Sequence, residues 1–443
     1  MASSRRSAIG DRLAHIAGEE EIDAESNALL PGLNDHHFHL LAFAASLESV
    51  PCGPPAVSNA DELAAVLRAR QSSAPGDWIR GIGYHQTVAG DIDRHWLDGI
   101  APATPVRIQH RGGRLWVFNS RALDRITPGS APSPLETVDS NLTGRLYDGD
   151  AWLRERLGTQ PPPLAKASRL LLSRGVTGLT DSTPNNGAAE FAILRAAIER
   201  GELLQDIQIM GGAGLETVQS RPGLRIAHRK IHLREAALPD ISEIAAEITR
   251  CHGIGRPVAV HCVTLAELMF TLGAFDETGS LPGNRIEHAG VTPPNALPLI
   301  AAHGLTVVTQ PNFVAERGDA YLREVETVDQ PWLYRLRGIR DARIRLAGST
   351  DAPFGDADPW KAMAAAVTRR TAGGAILGER EALQPEDALG LFLGALDDPG
   401  APPRQIRVGT SADLCLLDRP WAEARIDLAD VVVARTFKAG KLV

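Results

Sequence analysis

Between about residues 175 and 351 the chain repeats one pattern: a short apolar, β-branched run bounded by Gly, Pro or Asn, then a longer amphipathic stretch. The runs predict strands at Val176–Ser182, Asp206–Gly211, Arg225–Leu233, Pro257–Val263, Arg285–Ala289, Leu305–Gln310 and Ile344–Asp351. Stretches such as Asp240–His252 and Thr264–Phe275 predict the helices between them. Strand–helix alternation builds parallel sheets, because each crossover helix returns the chain to the same edge. An eighth run, Ala28–Leu40, completes a closed cylinder, so the expected fold class is α/β, a (β/α)8 TIM-like barrel.

The polar residues in these runs come late in each one. The eighth run, within PGLNDHHFHL, carries His37 and His39, two residues apart and so on one face of a strand. Lys230, His261, His288 and Asp351 follow in other runs. A parallel barrel keeps its chemistry at the carboxyl ends of its strands, and imidazole is the commonest protein ligand for zinc-like ions. Taken alone the His-x-His triplet reads more readily as a surface or core histidine pair. The downstream residues are what turn it toward a metal site.

With 44% hydrophobic and 23% charged residues, the 443-residue chain has the composition of a soluble globular protein with room for accessory domains. A net charge of -8 argues against nucleic acid as a partner. Cys52, Cys251, Cys262 and Cys415 are scattered without a CxxC pair, which argues against a disulfide framework or a thiolate zinc site. The first residues lack a signal-like apolar run and no run of about twenty apolar residues occurs, so a cytoplasmic protein without membrane contact is expected.

Residues 41–174 form an insertion far longer than an ordinary βα connection, expected to be a lid or substrate subdomain. Surface decoration is the bland alternative. It carries strand-like WIRGIGYH and PVRIQHR and helical pieces at Asp61–Arg70 and Pro163–Arg174. Residues 1–27, with Ile9–Ile16, and 405–443, with GTSADLCLLD and DVVVARTFKAGKLV, are expected to assemble a small composite β-sandwich beside a barrel spanning 28–404.

Ordered along the strands, the sequence His-x-His, Lys, His, His, Asp resembles the amidohydrolase superfamily. PGLNDHHFHL is similar to that superfamily's PGxxDxHxH signature, and ADLCLLD and FKAGKLV are similar to its accessory-domain segments. The long insertion resembles the amidohydrolase 3 branch, which contains N-substituted formamide deformylase. Two departures stand out: a short amino-terminal segment before His37, and GSTDAP in place of the commoner GSDAP, with one extra residue before Asp351.

The resemblance implies a metal-dependent hydrolase cleaving a non-peptide C–N bond of a small amide-type substrate through a metal-activated hydroxide. Heterocycle deamination, lactone hydrolysis and a catalytically silent scaffold are the alternatives. It implies one or two divalent ions, with zinc foremost, held by His37, His39, His261, His288 and Asp351, and Asp351 as the catalytic acid/base. Lys230 would bridge two ions as a carbamate. Only five of the 46 basic residues are lysines, so a strand lysine is expected to do something arginine cannot. A snorkelling or ion-paired lysine is the alternative.

Further expectations concern the surroundings. His232, His85, His110, Arg317 and Tyr321 are candidate substrate contacts, although His85 and His110 read more readily as structural histidines and His232 equally as a core one. TQPNFVAERGDAYLR, with Asp319, is read as a substrate loop. Asp35, His36 and Thr350 flank the ligands, with His36 facing away from the pair; Glu287 is expected to point outward by strand alternation. The partner is a small molecule, and a homo-oligomer is compatible with the sequence.

Overall fold

The computed structural model describes residues 21–54, 56–73, 78–127, 134–158 and 161–443. Eight strands pair in parallel: β1 Leu33–Phe38, β2 Val176–Asp181, β3 Asp206–Gly211, β4 Leu224–His232, β5 Val258–Cys262, β6 Arg285–His288, β7 Thr306–Thr309 and β8 Arg345–Gly348. Each lies beside its neighbours in chain order, the arrangement of a (β/α)8 barrel. Closure occurs where the chain leaving β8 meets β1. His39 N–H donates to Ala352 O at 2.9 Å and Asp351 N–H to His37 O at 3.0 Å.

A buried carboxylate reinforces that seam. Asp35 Oδ1 accepts from Thr350 N–H and His37 N–H, both at 3.2 Å, and Oδ2 accepts from the Thr350 hydroxyl at 2.5 Å. Burial pushes the Asp35 carboxyl up to about 7, against the opposing pull of these donors.

The outer ring forms because the intervening segments carry both an apolar stripe and helix-start signals. Asp240 caps helix α1, Ile241–Gly253, by accepting from Ser242 N–H at 2.8 Å. Thr264 and Glu267 make a reciprocal capping box for helix α2, Leu265–Thr278. Ile248 and Cys251 of α1 and Leu268, Leu272 and Phe275 of α2 pack on Val258, Val260 and Ile286, the outward residues of β5 and β6. Each such side chain contributes about 1.5–3 kcal/mol through burial.

Three differences from the sequence reading have local causes. The run Ala28–Leu40 is two strands: Leu29–Pro31 pairs antiparallel with Leu414–Leu417, and only β1 enters the barrel. Gly32 stands at the division, where an added Cβ would collide with the Thr177 side chain. TQPNFVAERGDAYLR is not a loop. Asn312–Glu324 is helix α3, long enough that Gly318 is tolerated within it. The helix Ala165–Leu172 groups with the barrel, because Ser168 and Gln205 exchange hydrogen bonds of 2.8 and 3.0 Å.

The chain divides into two compact units, Met1–Leu40 with Leu164–Val443, and Leu41–Pro163. The second has a six-stranded sheet and its own core, including Leu63, Leu67, Ile79, Val106 and Ile108. A separate four-stranded antiparallel sheet joins Leu29–Pro31 to Leu414–Leu417, Val433–Lys438 and Lys441–Leu442. The expected Ile9–Ile16 strand lies outside the described residues. All four cysteines are free and buried, and among the described residues no helix is long and apolar enough to cross a membrane.

Asp35→Ala is expected to cost about 2–3 kcal/mol, since it strands buried donors on both sides of the seam. Denaturant unfolding would show this, with Asp35→Asn recovering part of the loss.

Candidate metal centre

The carboxyl end of β1 turns His37 inward and delivers His39 just beyond it. His37 Nε2 lies 3.5 Å, and His39 Nε2 3.1 Å, from Asp351 Oδ1. His288 joins them: ligand atoms of His37, His288 and Asp351 lie within 4.8 Å of one another, and all three side chains are buried. The His261 ring sits 4.4 Å from His288 and 4.3 Å from His232, centroid to centroid. Six sequence-predicted residues, Lys230 included, thus come from five different strand ends to one mouth of the barrel.

Two of these residues hold backbone conformations that L-amino acids rarely adopt. His288 has φ 71° and Asp351 φ 56°. Left-handed residues outside glycine cost free energy, and they concentrate at functional sites that over-determine them. At His288 the turn brings inward a side chain that alternation would send outward.

That turn also explains why period-two alternation predicts the wrong side for Glu287. Glu287 faces the lumen: its carboxylate meets His37 Nδ1 across the barrel and forms a buried ion pair with Arg285. Arg285 in turn donates to His36 O at 2.5 Å. β6 and β1 are not adjacent strands, so these contacts cross the interior. His36, fully buried, adds no hydrogen bond from its ring nitrogens.

The imidazoles share one polarity. His37 Nδ1 faces Glu287, His39 Nδ1 lies 2.9 Å from the Thr183 hydroxyl, and His288 Nδ1 lies 2.8 Å from Gln310 Oε1. A proton fixed on Nδ1 leaves the Nε2 lone pair for a ligand, the arrangement by which protein partners orient metal-binding histidines. Neutrality is favoured as well. Burial, then the Lys230 charge, pushes His37 down to about 4; burial and His37 bring His288 to about 3. Burial would raise the Asp351 carboxyl, but His39, His37 and His288 outweigh it and hold it below the usual range.

Lys230 is buried, its Nζ has no hydrogen-bond partner, and burial pushes it down to about 8. Asp351 Oδ1 likewise lacks an aligned hydrogen bond. An orphaned amine and carboxylate oxygen beside neutral imidazoles are costly unless a ligand completes them. This donor set of nitrogen and oxygen atoms fits a divalent transition-metal ion.

The remaining candidates divide. Arg317 of α3 donates to Phe354 O at 2.6 Å, and the Phe354 ring meets His39 edge-on at 5.2 Å. The Tyr321 hydroxyl lies 3.3 Å from that of Tyr334, a residue the sequence reading passed over. Asp319 instead binds the Thr371 hydroxyl and Gly373 N–H. His85 and His110 lie in the second unit with ring centroids 5.7 Å apart; His85 caps a short helix and His110 bonds Gln86 at 3.1 Å.

Glu287→Gln is expected to weaken divalent-ion affinity about 10–100-fold by loosening His37. Metal titration of the purified variant checks this, and unchanged affinity would contradict the role.

The family model for the amidohydrolase family matches residues 20–443. N-substituted formamide deformylase of Arthrobacter pascens is 25% identical, covering 98% of this chain and 93% of its own. Putative amidohydrolase YtcJ of Bacillus subtilis is 22% identical over 84% and 80%. A structure of an uncharacterized metal-dependent hydrolase from Pyrococcus horikoshii superimposes with TM-score 0.75 at 22% identity, covering 96% and 90%, a likeness of fold. The chain therefore belongs to the amidohydrolase family, hydrolases of carbon–nitrogen bonds.

Proposed function

We propose that the protein is a metal-dependent amidohydrolase that cleaves a non-peptide C–N bond of a small amide. The convergence of His37, His39 and His288 on the Asp351 carboxylate carries this reading. The formamide deformylase named among its relatives supports an amide as the electrophile. A silent scaffold would have no use for four aligned donors and an orphaned buried lysine.

In this reading His37, His39 and Asp351 hold one divalent ion, zinc foremost, and His261 and His288 complete its shell or hold a second. When bound, such an ion supplies Lewis acidity, lowering the pKa of water toward about 7 and polarising a carbonyl. Asp351 accepts the proton of the attacking water and returns it to the departing nitrogen. Water is thereby divided between the acyl carbon and the amine. Thr183, Gln310 and Glu287 keep the rings oriented throughout.

Lys230 is assigned the bridging role. A buried amine brought down to about 8 is neutral often enough to add carbon dioxide, releasing a proton and leaving a two-oxygen carbamate anion. Arginine, always protonated, cannot do so.

Removing metal with a chelator is expected to abolish amide hydrolysis, and adding back a divalent ion to restore it. His37→Ala should lower turnover by about two orders of magnitude or more. Turnover that survives either change refutes the metal reading. Lys230→Arg should halve the metal content measured by mass spectrometry of the native protein if two ions are bridged; unchanged content with full activity refutes the carbamate.

A further inference from the structure

Deepening the proposed function, and resting on its catalytic site, we infer that Arg317 is a specificity determinant that binds a carboxylate on the substrate, so that the natural substrate is an anionic amide. Helix α3 follows β7 at the end of the barrel where the candidate ligands meet. The chain after β8 is stapled to it. Asn312 Nδ2 donates to Thr350 O at 3.0 Å, and Glu316 Oε1 accepts from Asp356 N–H at 3.0 Å. Gly355 allows the close approach, since a Cβ there would collide with the Asn312 amide and Thr350 O. The staple fixes Arg317 relative to Asp351.

Arg317 is placed as a recognition group. Its guanidinium lies 4.0 Å over the Phe313 ring, a stacking that pre-orders the fork. One Nη2 donor goes to Phe354 O, and Phe354 N–H in turn donates to Asp351 O at 2.8 Å. Among the described residues no carboxylate lies within ion-pair distance of the partly exposed Arg317, whereas the buried Arg285 is neutralised by Glu287. A guanidinium carries five N–H donors in a fork that matches a carboxylate. The half-open Phe354 ring, edge-on to His39, and the Tyr321–Tyr334 pair supply an aromatic wall beside it. A planar amide bearing a carboxylate satisfies both features; a neutral amide leaves the guanidinium without an anionic partner.

The probes are N-benzoylglycine and its methyl ester, which differ only in the charge. Equilibrium affinity is measured by calorimetry, and kcat/KM by release of glycine or its ester, with the metal-loaded full chain. Wild type is expected to prefer the acid by about tenfold or more, and Arg317→Met to bring the ratio to about one. Arg317→Lys, which keeps charge without the fork, should fall between, and Arg323→Met, exposed on the same helix, should keep the wild-type ratio. Circular dichroism confirms the fold of each variant. An affinity ratio near one in wild type, or one preserved in Arg317→Met, overturns the inference. A retained, Arg317-dependent affinity ratio without hydrolysis of either probe upholds the carboxylate site and counts against the proposed amide hydrolysis instead.

Discussion

The seam between β8 and β1 is the constraint on which everything else depends. Asp35 and Thr350 stand 315 positions apart in the chain, yet one buried carboxylate receives donors from both sides of that join. Closing the cylinder there has a chemical consequence. It places Asp351 against His37 and His39 through backbone bonds at His37 O and His39 N–H. The donors that give the site its character are therefore placed by main-chain pairing, and side-chain rotation has only to finish the job.

Electrostatics then decides what the assembled side chains can do. Imidazoles packed within 4.4–5.4 Å of one another, centroid to centroid, cannot all be charged, and burial keeps His37 and His288 neutral. Glu287 is the counterweight. It balances Arg285 and accepts from His37 Nδ1, so one carboxylate both stabilises a buried cation and sets the orientation of a candidate ligand. The Lys230 amine, buried without a hydrogen bond and within electrostatic reach of Glu287 and Asp351, is the group this network leaves unanswered.

Much of this was readable in the sequence because each barrel strand is a short apolar run ending in a chemically distinctive residue. Asp206–Gly211 and Arg285–His288 begin where the runs begin, and the order His-x-His, Lys, His, His, Asp follows the strand order. Glu287 was missed because period-two alternation was carried through a strand end that does not obey it: His288 and Ala289 both have positive φ. Helix α3 is hidden by Asn312, Gly318 and Asp319, which score against a helix unless the packing of Phe313 and Val314 is known. Leu29–Pro31 merged with β1 for lack of any signal that a three-residue run pairs with a strand near the other end of the chain. Such pairing is a tertiary fact that local pattern does not encode.

The central claim is that one cation is gripped where these strand ends meet. Anomalous diffraction from crystals of the purified protein, recorded at the absorption edge of its resident metal, tests it most directly. The account predicts a peak in bonding contact with His37 Nε2, His39 Nε2 and the Asp351 carboxylate. A peak bound elsewhere on the chain, or none from protein saturated with divalent ions, would contradict it.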